Sequence, residues 1–186
     1  MMDDEFFPFE IDDRKTRHKG KSSYGWHPRQ TEEDGFKCVH CSTFVSAATF
    51  LSGVQNRNHC PYCLWSRHLD LRKAGDRLSA CKAGMRPVGL SLKTTQKKYG
   101  SRYSELMIIH ACEGCEKIDI NRIASDDVAE HLLEVFEESL HLDEAMQARL
   151  AGSGVLVLGA DDADLVRSRL FGHTDDEEES DANREE

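Results

Sequence analysis

Hydrophobic positions are spread unevenly along this chain, and their spacing changes character past the middle. From Phe36 to Ala124 apolar residues come in short runs broken by turn formers. Phe36-Lys37-Cys38 and Thr43-Phe44-Val45 flank a Cys-x-x-Cys pair as two strands of a hairpin would. Leu106 to His110 and Lys117 to Ile120 flank another pair in the same way. Long aliphatic runs are few over this stretch, so hydrophobic burial alone makes a thin core and a second source of stability is expected.

From Ser125 onward the period becomes helical. Val128, Leu132, Val135, Phe136 and Leu140 recur at three- and four-residue steps and predict an amphipathic helix. Ser125 is its expected N-cap, with Asp126 and Asp127 at the positive end of the dipole. His141 to Asp143 interrupts, Glu144 to Ala151 resumes, and Gly152-Ser153-Gly154 punctuates. Val155 to Leu158 reads as a buried strand, and Asp161 or Asp162 is placed to cap a last short helix through Phe171. A Val/Leu/Phe stripe at this spacing usually faces its own domain, so core packing is expected of the region, with a partner-binding appendage as the alternative.

The ends carry no such pattern. Residues 1–34 are polar, charged and punctuated by Gly, Ser and Pro, and read as a disordered tail in which Tyr24 and Trp26 could stack on a base or dock on the domain. Residues 173–186 read as a solvated acidic tail. The predicted organisation is therefore a tail (1–34), a cysteine-rich module (35–124), a helix-strand-helix extension (125–172) and a second tail (173–186).

Net charge, −10 over 186 residues, hides a block structure. From Phe36 to Ala124 there are 14 Lys and Arg against 6 Asp and Glu; from Ser125 to Gly172 there are 3 against 11. A basic centre between acidic ends suits a polyanionic partner. The longest apolar stretches, Met107 to Ile109 and Val155 to Leu158, are far too short to span a bilayer. MMDDEFF does not read as a signal peptide. A cytoplasmic location is expected.

Seven cysteines change the picture most. Cys38/Cys41, Cys60/Cys63 and Cys112/Cys115 are three Cys-x-x-Cys knuckles, and Cys81 stands alone. In a reducing compartment such pairs are metal ligands rather than disulfides. The turn between the cysteines aims both sulfurs at one ion and lets backbone amides donate to the thiolates. Seven cysteines and one histidine make two four-ligand zinc sites. The preferred pairing joins Cys38/Cys41 with Cys112/Cys115 in a zinc-ribbon site, and Cys60, Cys63 and Cys81 with His68, which is reachable if the run after Cys63 is helical. The rival joins Cys38/Cys41 with Cys60/Cys63 and leaves Cys81, Cys112 and Cys115 with His110. His40 and His59 are further candidate ligands. The fold class predicted is α+β: a small zinc-stabilised module of short β-hairpins, zinc-ribbon-like, with a helical C-terminal extension.

The run Arg57-Asn58-His59-Cys60-Pro61, continuing through Cys63, Leu64, Ser66, His68 and Asp70, resembles the signature of the RNHCP domain family of bacterial proteins. Gly35 to Cys41, Gly75-Asp76-Arg77, Cys81, Pro87, His110 to Cys115 and Asn121 to Ala124 agree with it. The resemblance covers about residues 35 to 127. It implies a compact cysteine-rich module in a bacterial cytoplasm and supplies no reaction.

Binding is the function class the residues favour. Lys93, Lys97, Lys98 and Arg102 are interleaved with Tyr99 and Tyr103 in KTTQKKYGSRYSE, so cations can meet phosphates while rings stack on unpaired bases. With the basic segment from Arg14 to Arg29, this points to RNA or a ribonucleoprotein. A protein adaptor using the acidic C-terminal region is the alternative. A nuclease-like enzyme would need His59 as base, with Asp70 as a lone carboxylate beside it. A redox role would need Cys60/Cys63 unmetallated. In the simpler reading, Arg57 and Asn58 buttress the knuckle while Asp70 orients His68 or pairs with Arg57 or Arg72.

Overall fold

This computed structural model describes residues 35–93 and 104–172. The two expected hairpins are present. Strands β1 (Gly35–Lys37) and β2 (Phe44–Ser46) pair antiparallel with Phe36 opposite Val45, and one helical turn, α1 (Thr49–Ser52), follows. Strands β3 (Ser66–Arg67), β4 (Gly84–Lys93), β5 (Glu105–Cys112) and β6 (Ile118–Arg122) form an antiparallel sheet in chain order. Helices α2 (Ala129–Ser139), α3 (Glu144–Ser153) and α4 (Ala163–Phe171) complete the architecture.

Alternation along β5 explains how the sheet is covered. Leu106 and Ile108 point to one face with Leu90, where they meet Leu132 and Phe136 of α2, Val166 of α4, and Leu158. Ile109 and Ala111 point to the other face with Val88 and Ile118, against Leu150 of α3. With both faces covered, β5 is buried along nearly its whole length, which is why its sequence is a continuous apolar run. The acidic helical segment thus shares its core with the basic cysteine-rich one.

Three local expectations are corrected. First, α2 begins at Ala129, with Val128 in the cap position and no side-chain cap. Ser125 is spent elsewhere: its hydroxyl donates to Leu51 O at 2.8 Å and its amide to Ser52 O at 2.9 Å. Second, the run after Cys63 is not helical, since Leu64 has φ 57° and the chain passes directly into β3. Third, Val155 to Leu158 lies along the edge of β4 left open by the two-residue β3 without becoming a strand. It makes one backbone bond, Leu158 N–H to Leu90 O at 2.9 Å, and Ser91 Oγ donates to Leu156 O at 2.6 Å. Gly89 permits this approach, because a Cβ there would stand 3.1 Å from both Val157 Cγ1 and Ser139 Cβ.

Helix α3 follows the expected interruption, with Asp143 accepting from Met146 N–H at 2.7 Å as N-cap. Helix α4 ends at Phe171 as expected, but Asp162 accepts from Gly159 N–H and closes the turn ahead of the helix instead of capping it. Among the described residues no helix is long and apolar enough to cross a membrane.

Candidate metal centres and the residues that brace them

One backbone device shapes all three knuckles. The amide of the first cysteine donates to the carbonyl five residues on: Cys38 to Thr43, Cys60 to Trp65, Cys112 to Lys117, each at 2.9 Å. After the second cysteine of the first two, the chain turns through the left-handed region at Ser42 (φ 64°) and Leu64 (φ 57°). That conformation costs a non-glycine residue about 1–2 kcal/mol. At Leu64 it is offset by a side chain seated in the core between the sheet and α2. His40 N–H lies 3.4 Å from Cys38 Sγ, in position to donate to the thiolate.

The thiols gather into two clusters. Cys38, Cys41, Cys60 and Cys63 form one; His68, Cys81, Cys112 and Cys115 form the other, with the ligand atoms of each within 4.8 Å of one another. Sγ separations are 3.6 Å for Cys38–Cys63, 3.7 Å for Cys41–Cys60 and 3.6 Å for Cys81–Cys112. A disulfide would require about 2.05 Å. Two sulfurs each about 2.3 Å from a tetrahedral zinc stand about 3.8 Å apart, close to what is seen. Cys115 Sγ and His68 Nδ1 are 3.5 Å apart, against about 3.6 Å for sulfur and nitrogen ligands of one zinc. Donor set and spacing therefore fit one ion per cluster, and two zinc ions per chain. Zinc bound there would neutralise thiolates and tie distant segments together.

The eight residues named from the sequence are those gathered here, but the preferred pairing is overturned. Cys38/Cys41 joins Cys60/Cys63 because the β1–β2 hairpin packs on the second knuckle through Val45, Phe36 and Trp65. The third knuckle lies at the β5–β6 turn, where Met85 pairs with Cys112 and Glu113 N–H reaches Gly84 O. The chain entering β4 brings Cys81 to it, and His68 arrives because its own N–H bonds Ala83 O at 2.9 Å. Gly114 makes room: a Cβ there would stand 2.7 Å from Ala83 Cβ and 3.1 Å from Cys81 Sγ.

Burial and hydrogen bonding split the metal-free thiols. Desolvation pushes Cys112 up to about 11 and raises Cys60 and Cys63 as well. Hydrogen bonds from Thr43 hold Cys41 down to about 6, and a backbone bond from Ala83 lowers Cys81. Each cluster thus pairs readily ionised thiols with reluctant ones, which a cation would bring to the same thiolate state.

His40, His59 and His110, the other candidate ligands, stand beside the clusters. His40 stacks on Trp65, centroids 4.3 Å apart and planes 4° from parallel. His110 is wholly buried and its pKa is lowered to about 3, first by desolvation and then by His59. Neutral, it donates from Nε2 to Leu64 O (2.7 Å) and accepts at Nδ1 from Asn121 Nδ2 (2.9 Å). His59 Nε2 meets the Asp127 carboxylate at 2.9 Å.

That last contact belongs to a latch the sequence did not reveal. Arg57 donates to Asp126 at 2.7 Å and to Asp127 at 3.2 Å, and its Nε reaches His59 O at 3.1 Å. Asp127 also accepts from Ala124 N–H at 2.7 Å, while Val128 N–H reaches Pro61 O. The Arg57-to-Pro61 run thus clamps the second knuckle to the start of α2. Asp70 pairs with neither Arg57 nor Arg72 and does not orient His68; it accepts from the amides of Gly75 and Arg77, with Arg77 Nε at 3.9 Å. Arg149 of α3 was equally invisible in the sequence. Its Nη2 donates to Cys112 O and Cys115 O, both at 2.8 Å, and braces the third knuckle from outside. No spacing rule joins an arginine on a helix to a knuckle more than thirty residues away.

Of the basic residues singled out for nucleic acid, Lys93 is exposed at the end of β4. Lys97, Lys98, Tyr99, Arg102 and Tyr103 lie outside the described residues. A cavity of about 490 Å³ at this end of the sheet is lined by Lys93, Arg122, Asn121, Asn58 and His59 among others.

The family model of the RNHCP domain matches residues 33–133, more than half of the chain, and the protein belongs to that family. The match ends within α2, so it includes both metal clusters and the Arg57–Asp127 latch but not Arg149. Neither a curated protein nor a solved structure gives a match.

Proposed function

We propose that this RNHCP-domain protein is a non-enzymatic binding module whose two zinc centres hold a rigid platform for RNA or a ribonucleoprotein. The observation that carries the reading is the basic and aromatic composition of the segment that joins β4 to β5. KTTQKKYGSRYSE runs between the ends of β4 and β5, whose last register pair is Lys93 with Glu105. Lys93, its first residue, is exposed at the end of β4. Arg122 and the cavity beside Lys93 adjoin the same end and extend the polar surface.

The geometry of His59 disfavours the hydrolytic alternative. Its side chain is 2% exposed and holds a fully buried carboxylate that also binds Arg57, which suits a strut better than a base for activating water. The adaptor reading draws on the acidic C-terminal region, and on the exposed apolar side chains of Phe44, Phe50 and Leu51. Cysteine-rich zinc sites of this kind suit a reducing compartment such as the cytoplasm.

Salt titration tests the RNA reading. Affinity for a single-stranded oligoribonucleotide should fall steeply with salt, and Lys97/Lys98/Arg102→Ala should lower the log–log slope by about 2, at about 0.7 per phosphate contact. Salt-independent binding, or an unchanged slope in the triple variant, refutes it. Co-purification with a protein after nuclease treatment supports the adaptor instead.

A further inference from the structure

A second cavity, of about 280 Å³, lies between the β1–β2 finger and the segment running from Trp65 to Arg77. Its apolar walls are Phe36, Val39, Trp65 and Leu69. Lys37, Arg57, Arg67 and Arg77 also line it, and no carboxylate does so among the described residues. Arg57 is already satisfied by Asp126 and Asp127. Lys37 and Arg67 have charge to spare, and Arg77 shares its charge with Asp70. Arg67 uses only Nε, on Lys82 O, and Lys37 is exposed. Arg77 donates from Nη2 to Asn56 O and Arg57 O and has Asp70 at 3.9 Å from Nε, while its buried Nη1 has no acceptor among the described residues.

Four cations around a cleft that no carboxylate lines among the described residues say that its ligand is anionic. The apolar walls say that the ligand also carries an uncharged body, which free phosphate or sulfate lacks. Trp65 is held in place by the stacked His40, a pre-oriented aromatic surface for a planar ring. The volume sits at the low end of the roughly 300–1,000 Å³ typical of small-ligand sites, enough for one ring and one phosphate.

We propose that this cleft binds a single nucleotide unit, its base against Trp65 and its phosphate on Lys37, Arg67 and Arg77. The inference goes beyond the RNA reading, since it concerns other residues than the basic segment. The unit is either a free nucleoside monophosphate or one unpaired residue of an RNA strand.

The zinc-loaded full chain carrying Trp26→Phe retains Trp65 as its only tryptophan. Titrating it with AMP, GMP, CMP and UMP, then with a short oligoribonucleotide, adenosine and inorganic phosphate, reads the cleft by Trp65 fluorescence. At least one monophosphate or the oligoribonucleotide should change the emission saturably. Adenosine and phosphate alone should each bind at least about tenfold more weakly. Arg67→Gln and Lys37→Gln, with both zinc ions retained, should each weaken binding about tenfold. Lys97/Lys98/Arg102→Ala should leave monophosphate binding unchanged. A response to monophosphate without RNA binding upholds the cleft and assigns a free nucleotide, while the RNA reading falls. A response to the oligoribonucleotide alone, weakened by Arg67→Gln, upholds it and assigns a strand. No saturable response to any of these ligands, or one indifferent to Arg67 and Lys37, overturns the proposal.

Discussion

Arg57 and Asp127, seventy residues apart, meet at 3.2 Å with both side chains fully buried. The pair ties the second knuckle to the turn just ahead of α2, and His59 and the Ala124 amide complete the carboxylate's shell. Removing Asp127 would leave Arg57 with only the partly exposed Asp126, and His59 with no partner. Asp127→Ala should therefore cost about 3–5 kcal/mol in urea unfolding of the zinc-loaded protein. Asp126→Ala, at a side chain 38% exposed, should cost no more than about 1 kcal/mol. Equal losses would show that the buried carboxylate is not the centre of the latch.

The cysteine pairing is checked by metal counting. Native mass spectrometry should find two ions in the parent protein and one in each of Cys60→Ser, Cys63→Ser, Cys81→Ser and His68→Ala. The double variant Cys60→Ser/Cys63→Ser should still hold one ion, and Cys63→Ser/Cys81→Ser none. Chelating both ions should unfold the hairpin regions, since a structural zinc contributes about 10–16 kcal/mol to folding.

Arg149 braces only the third knuckle. Arg149→Met should lower zinc affinity at the second cluster by about 10–100-fold and leave the first unchanged, the range seen when groups behind metal ligands are removed. Competition with a chromophoric chelator, following the release of each ion, separates the two sites. Loss at both sites together would mean that the substitution acts through the fold.

Asp76 organises the loop between His68 and Cys81. It accepts from the amides of Leu71, Arg72, Lys73 and Leu78, which hold its carboxyl well below the usual carboxylate range. A depressed folded pKa means that the stabilisation is present above the ordinary value, about 3.9, and is lost as pH falls from there through the depressed one. Amide exchange at these four residues should be slow and constant above about pH 5, apart from the intrinsic pH dependence of exchange. Asp76→Ala should speed it throughout that range.

Much of the fold was legible because its signals are local. The two hairpins follow from turn-flanked knuckles, and α3 from the interruption at His141 to Asp143 before Glu144 to Ala151 resumes. The start of α2 was not legible, because Ser125 and Asp127 look like caps but satisfy partners on α1 and the second knuckle. Val155 to Leu158 has a strand's composition, yet its backbone finds only part of an open edge on β4.

By itself the sequence determined the ligand chemistry: seven thiols in need of one histidine, six of them preset as three pairs by a turn that points both sulfurs one way; that the histidine is His68 came only from the structure. The pairing of those knuckles, the Arg57–Asp127 latch and the Arg149 brace were decided only in three dimensions. A Cys-x-x-Cys turn carries its geometry within four residues, so spacing reveals it. Which two turns share an ion depends on how β1–β2 and β5–β6 pack, and that is settled by contacts between segments whose separation along the chain carries no chemical mark.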